Sequence, residues 1–223
     1  MTSAVAQNEF WSKVATRYDT VVDLQIGSGT RAMVRERLTH EEQLGAVVEF
    51  GCGTGFYTET LARKADRVVA TDLSAGMIAV SRQRTRASNV EFLEEDCQRT
   101  SFPDATFDTA FMSLLIHFTD PPTVLAEMHR ILKPGGTLII ANLDPKPLTG
   151  WARVRCRVRV IFHGLTRYRL KPPKGFGDNV MAEKELCDLL SRSGFTAVNT
   201  ETFRNPAHAS YIPVQYIKAV KVG

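Results

Sequence analysis

The stretch from Val47 to Gly55 reads Val-Val-Glu-Phe-Gly-Cys-Gly-Thr-Gly and constrains the chain more than any other. Two β-branched residues lead in, an acid follows, and three glycines stand at alternate positions. Residues 47–50 read as a short buried strand, and the glycines as a tight turn into a helix over 56–64. Glycine reaches positive φ and has no Cβ, so the backbone there can approach a ligand closely. The helix start beyond it offers unpaired N–H groups to a negative group. Strand, glycine loop and helix together form a nucleotide cradle.

The spacing decides which nucleotide. The dinucleotide fingerprint is G-x-G-x-x-G, and counted from Gly51 its third glycine falls on Phe56. The chain instead has E-x-G-x-G-x-G, which resembles the first motif of class I S-adenosylmethionine (SAM)-dependent methyltransferases. SAM has no pyrophosphate. It carries a carboxylate, an ammonium and a sulfonium, so an acid such as Glu49 near the loop is tolerable there and awkward beside two phosphates. The resemblance assigns Glu49, Gly51, Cys52, Gly53 and Gly55 to the cofactor loop.

Further matches follow in order. Residues 67–72 read as a second buried strand ending in Asp72. A carboxylate there can accept both ribose hydroxyls, and Asp72 stands near the roughly 20-residue spacing expected after such a loop. Ser74 reads as the cap of the next helix, with Met77 and Val80 inward. Residues 90–93 form strand three, followed by Glu94, Glu95, Asp96 and Cys97. In the methyltransferases resembled, the acid here receives the adenine amino group and the next residue packs on the ring. That implies Asp96 and Cys97, with Glu95 as the rival if the register slips by one. Residues 107–112 read as strand four, and 113–118 leave the sheet at its carboxyl end, where ligands bind in open α/β sheets. Leu73 and Ser113 complete the expected cofactor set. Asp120-Pro121-Pro122 starts a helix with Val124, Leu125, Met128 and Leu132 inward. The run Leu132-Lys133-Pro134-Gly135-Gly136-Thr137-Leu138 resembles the same superfamily's helix-to-strand junction, with strand five at 137–140. A helix over 180–193 and strands over 195–203 and 211–220 close the chain.

Residues 8–18 place Phe10, Trp11, Val14, Ala15 and Tyr18 at helical spacing. Residues 26–30 read as a flexible break, with Thr30 capping a second helix to about Leu44. The phrase Phe10-Trp11, Ala15, Tyr18-Asp19 resembles the N-terminal cap of the ubiquinone/menaquinone-biosynthesis methyltransferases. There the cap closes over the cofactor, which implies Tyr18 near it; Trp11 and Tyr18 read otherwise as core anchors. The expected fold is α/β: a Rossmann-like, doubly wound, seven-stranded sheet, mostly parallel with an antiparallel last strand. One domain is expected, with a helical cap at 1–44, a SAM-binding core at 45–143, an insertion after strand five at 144–179, and a terminal helix and hairpin at 180–223.

Length suits one large α/β domain. No run of about 18 apolar residues suggests a membrane span, and the N-terminus lacks a basic start and apolar core. Cys52, Cys97, Cys156 and Cys187 match no zinc or disulfide spacing. No metal and a cytoplasmic setting are therefore expected. The charge is uneven. Residues 146–174 hold nine basic side chains and no acid; without them, 19 of the 28 basic residues face all 24 acids, a net of −5. On a helix, Trp151, Val154, Val158, Ile161 and Phe162 form one apolar stripe flanked by Arg153, Arg155, Arg157 and Arg159. The same residues alternate from 153 to 160, which suits a strand. A solvated cover, or a lid for a hydrophobic, anionic small molecule with peripheral contact to an anionic membrane through 151–174, both fit.

Methyl transfer from a sulfonium is an in-line displacement, so the protein mainly positions the reactants and excludes water. An oxygen acid or a thiol also needs to lose a proton. His117, just past strand four, is the first candidate base. Tyr18, Tyr57, His163, Tyr168 and His208 are secondary ones. An NAD-dependent oxidoreductase shares the cradle, but this chain lacks its third glycine and a catalytic Tyr-x-x-x-Lys. A nucleic-acid-modifying enzyme would show an Asp/Asn-Pro-Pro-aromatic motif ending strand four. Here Thr123 follows the prolines, at a helix start.

Overall fold

The structure is a computed structural model that describes residues 4–144, 150, 151, 154, 155, 158, 179–205 and 211–223. Seven strands form one sheet: β1 (Ala46–Phe50), β2 (Arg67–Asp72), β3 (Val90–Glu94), β4 (Phe107–Ser113), β5 (Leu132–Leu143), β6 (Phe195–Phe203) and β7 (Val214–Lys221). Their order is β3-β2-β1-β4-β5-β7-β6. The first five pair in parallel, and β7 runs antiparallel between β5 and β6. The fold expected from the sequence is the one observed, including the terminal hairpin.

The alternation along β1 shows why the central strands are largely apolar. Val47 joins a core on one face with Val34, Leu38 and Leu61. Val48 and Phe50 join a core on the other with Leu125, Met128 and Leu186. Both faces are covered by helices, so neither set of alternate residues can be polar without a partner. The helices are α1 (Ala4–Val14), α2 (Tyr18–Ile26), α3 (Ser28–Thr39), α4 (Thr58–Ala62), α5 (Ala75–Arg84), α6 (Pro121–Ile131) and α7 (Glu183–Arg192).

Several boundaries differ from expectation for local reasons. The helix after the glycine loop is shorter than the expected 56–64, running from Thr58 to Ala62 with Tyr57 and Arg63 as its caps. The break before α3 is Gly27 alone, at φ 78°. Thr30 does not cap that helix; its Oγ1 donates to the Ile26 carbonyl at 2.7 Å, and α3 stops at Thr39. Strand β5 starts at Leu132, so the Pro-Gly-Gly run lies within the strand, with a register irregularity opposite Phe107 and Thr109. Ser74 caps α5 as expected, accepting from the Met77 N–H. Residues 150, 151, 154, 155 and 158 are helical, which favours the helix over the strand at those positions; His163, Tyr168 and His208 lie outside the described residues.

Candidate cofactor site

The site lies at the carboxyl ends of β1, β2 and β4. After Phe50 the chain turns through Gly51 at φ 61°, and the Cys52 N–H donates to the Thr71 carbonyl, which ties the loop to β2. Each glycine serves differently. A Cβ on Gly51 would stand 3.0 Å from the Leu115 side chain, and one on Gly53 would stand 3.4 Å from Tyr18 Cε1. Both glycines line a cavity that opens to solvent. Gly55 does not line it. A Cβ there would meet Ser81 Oγ at 2.4 Å, so this glycine packs the loop against α5.

Asp72 ends β2 beneath this loop. Its Oδ2 accepts from the Gly53 N–H and its Oδ1 from the Ser74 N–H, both at 2.9 Å. Burial pushes its carboxyl up to about 6, against the three backbone N–H groups that favour the charged form. Each oxygen keeps a further lone pair for a ligand hydroxyl, and Asp72 and Leu73 both line the cavity. Asp96 and Cys97 follow along the same wall with their rival Glu95. One Asp96 oxygen accepts from the Gln98 N–H at 2.9 Å, which leaves the other for a donor such as an exocyclic amine. Burial, with the neighbouring Asp96 and Asp72 charges, raises the Cys97 thiol far above its ordinary range. It is therefore a neutral, soft surface suited to a ring face.

The opposite wall comes from the N-terminal cap. Trp11 meets Tyr18 and Phe118 edge-on, at 5.7 and 5.2 Å between centroids, and all three line the cavity. Asp19 locks the cap to the loop. It accepts from Thr54 Oγ1 at 2.8 Å, from Arg31 at 2.9 Å, and from Arg84. Burial alone would raise the Asp19 carboxyl, but these donors hold it below its ordinary value. Arg31 is almost wholly buried. It also pairs with Asp23 at 3.3 Å and lies 3.9 Å above the Phe56 ring. With Cys52, Tyr57 and Ser113 it lines a smaller recess beyond Gly53.

The structure thus brings Tyr18, Gly51, Cys52, Gly53, Asp72, Leu73, Asp96, Cys97 and Ser113 to two cavities that share Tyr18, Gly51, Gly53, Ser113 and Leu114. It does not bring Glu49, Gly55 or His117 there. Glu49 sits under the loop, where its Oε2 accepts from Thr58 Oγ1 at 2.6 Å. Burial pushes its carboxyl up to about 8; Thr58 opposes the shift and the Asp72 charge adds to it.

His117 is 4% exposed, with Nδ1 3.0 Å from Asn142 Oδ1. Burial pushes its pKa down to about 4, against the Asn142 bond. An imidazole so placed is neutral at pH 7 and stands outside both cavity linings, so a titration near neutral pH is not expected from it. His117→Asn should keep turnover within about threefold of wild type and cost about 1–3 kcal/mol of stability. In wild type the depressed pKa means that stability is complete above about pH 6.5 and falls as pH drops toward 4. A rate loss of about 10²-fold together with a vanished neutral titration would reinstate the base.

Sequence reasoning missed Gln7, Met77, Gln98, Leu114, Leu115 and Thr119 in the cavity wall, and Arg31, Thr54 and Phe56 in the recess. Leu114 holds φ 54°, an uncommon state for a non-glycine residue. No residue-type signal announces it.

Residues 48–140 match the family model described as "Methyltransferase domain". The matched stretch contains the ordered motifs from Glu49 to Gly136. The chain is 35% identical over 134 residues to a malonyl-[acyl-carrier protein] O-methyltransferase of Serratia marcescens, covering 60% of this chain and 51% of that one. It is 33% identical over 154 residues to a demethylmenaquinone methyltransferase of Deinococcus radiodurans, covering 65% and 63%. The chain therefore spans about half to under two thirds of the length of these curated relatives. Among solved structures, a SAM-dependent methyltransferase of Aquifex aeolicus superposes with a TM-score of 0.65 at 20% identity, covering 95% of this chain and 98% of that one. At that identity the likeness concerns the fold.

Proposed function

We propose that the chain is a SAM-dependent methyltransferase that passes the methyl group to a small, hydrophobic or anionic acceptor. The carrying observation is the pairing of Asp72 with the Gly53 backbone at the floor of an open cavity, with Asp96 and Cys97 further along the same wall. The fit is specific in kind. Asp72 offers lone pairs to a diol, Asp96 one to an amine, and Cys97 a neutral face to a ring. Two backbone positions lack the Cβ that would fill the space beside Gly51 and Gly53. The recess beside Arg31 and Ser113 would take the polar amino-acid end. A dinucleotide would need backbone room at position 56, where Phe56 instead lies under the Arg31 guanidinium.

Bound SAM supplies a methyl group already activated by the sulfonium charge. The chain's own part is to hold the acceptor in line and keep water out. Trp11, Tyr18, Leu115 and Phe118 make the wall facing the loop apolar and aromatic, which suits an acceptor with a hydrophobic body. We propose further that residues 1–223 act as one domain in the cytoplasm, with the cap at 1–44, core at 45–143, insertion at 144–179 and terminal segment at 180–223. Among the described residues no helix is long and apolar enough to cross a membrane.

Asp72→Ala should weaken SAM binding by about 1–3 kcal/mol, the range for hydrogen bonds to a charged group. Calorimetry with the two proteins checks this. Unchanged affinity would remove Asp72 from the site. A product mass spectrum over phenols, thiols, amines and carboxylates would identify the acceptor atom.

A further inference from the structure

The chain leaves the carboxyl end of β5 at Leu143, where the Asp144 N–H donates to the Pro213 carbonyl. Further along, Asn179 Nδ2 donates to the carbonyl of Thr119 at 2.7 Å. Thr119 lines the large cavity. Asn179, which follows the basic segment in the sequence, is therefore bonded to the wall of the site.

Within it, Trp151, Val154 and Val158 are helical and stand three and four residues apart, so they share one helix face. They are 82%, 48% and 60% exposed. Arg155, also exposed, lies one turn after Trp151 on the border of that face. An apolar face bordered by arginine, in a stretch of nine basic residues and no acid, needs a partner that is both apolar and anionic. A nucleic acid would satisfy the charge but gives two valines nothing to bury against. An anionic bilayer satisfies both: the headgroups attract the arginines, the valines enter the acyl boundary, and a tryptophan ring favours headgroup depth.

We infer that the helical residues Trp151, Val154 and Val158 form a docking surface for an anionic membrane. The inference concerns binding alone and stands or falls apart from the methyl-transfer reaction.

The test is co-sedimentation of the full chain with phosphatidylcholine vesicles, with and without phosphatidylglycerol. Wild type should bind the anionic vesicles at least about tenfold more tightly than the neutral ones, and added salt should weaken the attraction. Trp151→Ser with Val154→Ser and Val158→Ser should lower binding about tenfold or more, and Arg155→Glu should lower it by a similar factor. Both variants should keep the wild-type SAM affinity and melting temperature, which separates lost docking from lost folding. If wild type ignores both vesicle types, the inference is overturned. Salt-sensitive binding to RNA or to an acidic protein, unaffected by the triple serine variant and unaccompanied by vesicle binding, overturns it in favour of a different partner. Binding that depends on Arg155 but survives the triple serine change also overturns it, because the apolar face would then have no part.

Discussion

Gly53→Val is expected to reduce SAM affinity at least about a hundredfold while leaving the protein folded. The residue holds φ 55°, a conformation that costs an L-residue about 1–2 kcal/mol and a β-branched one more. The added Cβ would stand 3.4 Å from Tyr18 Cε1, an ordinary contact, but the two valine methyls project beyond it into the cavity that Gly53 lines. The change therefore fills ligand space and strains the N–H that donates to Asp72. Titration calorimetry checks the affinity and a melting curve checks the fold. Gly55→Ala is the contrasting control. Its Cβ collides with Ser81 Oγ at 2.4 Å, away from the cavity, so it should lower the melting temperature first. Wild-type affinity in Gly53→Val would mean that the ligand does not approach the loop.

The second large effect concerns pH. Glu49 is buried with a carboxyl pushed from an ordinary value of 4.5 to about 8. A carboxyl whose folded pKa is raised contributes its stability in full below the unfolded value, and loses it as pH rises through the folded one. The ligand-free protein should therefore lose stability between about pH 4.5 and pH 8, by an amount on the order of 4 kcal/mol if the whole shift is realised. Glu49→Gln keeps an oxygen to accept from Thr58 Oγ1, which donates at 2.6 Å in wild type. It should remove most of that slope and raise the melting temperature near pH 8. A shallower loss remains from Asp72, whose carboxyl is pushed up to about 6 and is not altered. Parallel melting curves for the two proteins from pH 5 to pH 8 would contradict the assignment.

The parts of the site that were legible are those in which local chemistry fixes the role. Asp72 terminates a β-branched run at a set distance from three alternate glycines, and a strand end leaves a carboxylate only a few things to do. Asp96 and Cys97 follow a strand in the same way, and both reach the cavity. The parts that sequence alone does not place depend on tertiary packing. His117 has the right sequence position, but the short helical turn Ile116–Phe118 directs it into the interior against Asn142 of β5. Gly55 belongs to the motif, yet α5 determines its use through Ser81. Arg31 is a single arginine in an ordinary helix; only the fold shows it buried between Asp19, Asp23 and Phe56. For the fold, strands were legible because residues such as Val47 and Val48 must be apolar on both faces, whereas helix ends moved wherever one backbone angle decided them, as at Gly27.

The most direct measurement is a calorimetric titration of the full chain with SAM, with NADH run in parallel and Asp72→Ala as the reference variant. The site described here predicts saturable binding of SAM, loss of most of that affinity in Asp72→Ala, and no comparable heat from NADH. Saturable binding of NADH with no heat from SAM would contradict it.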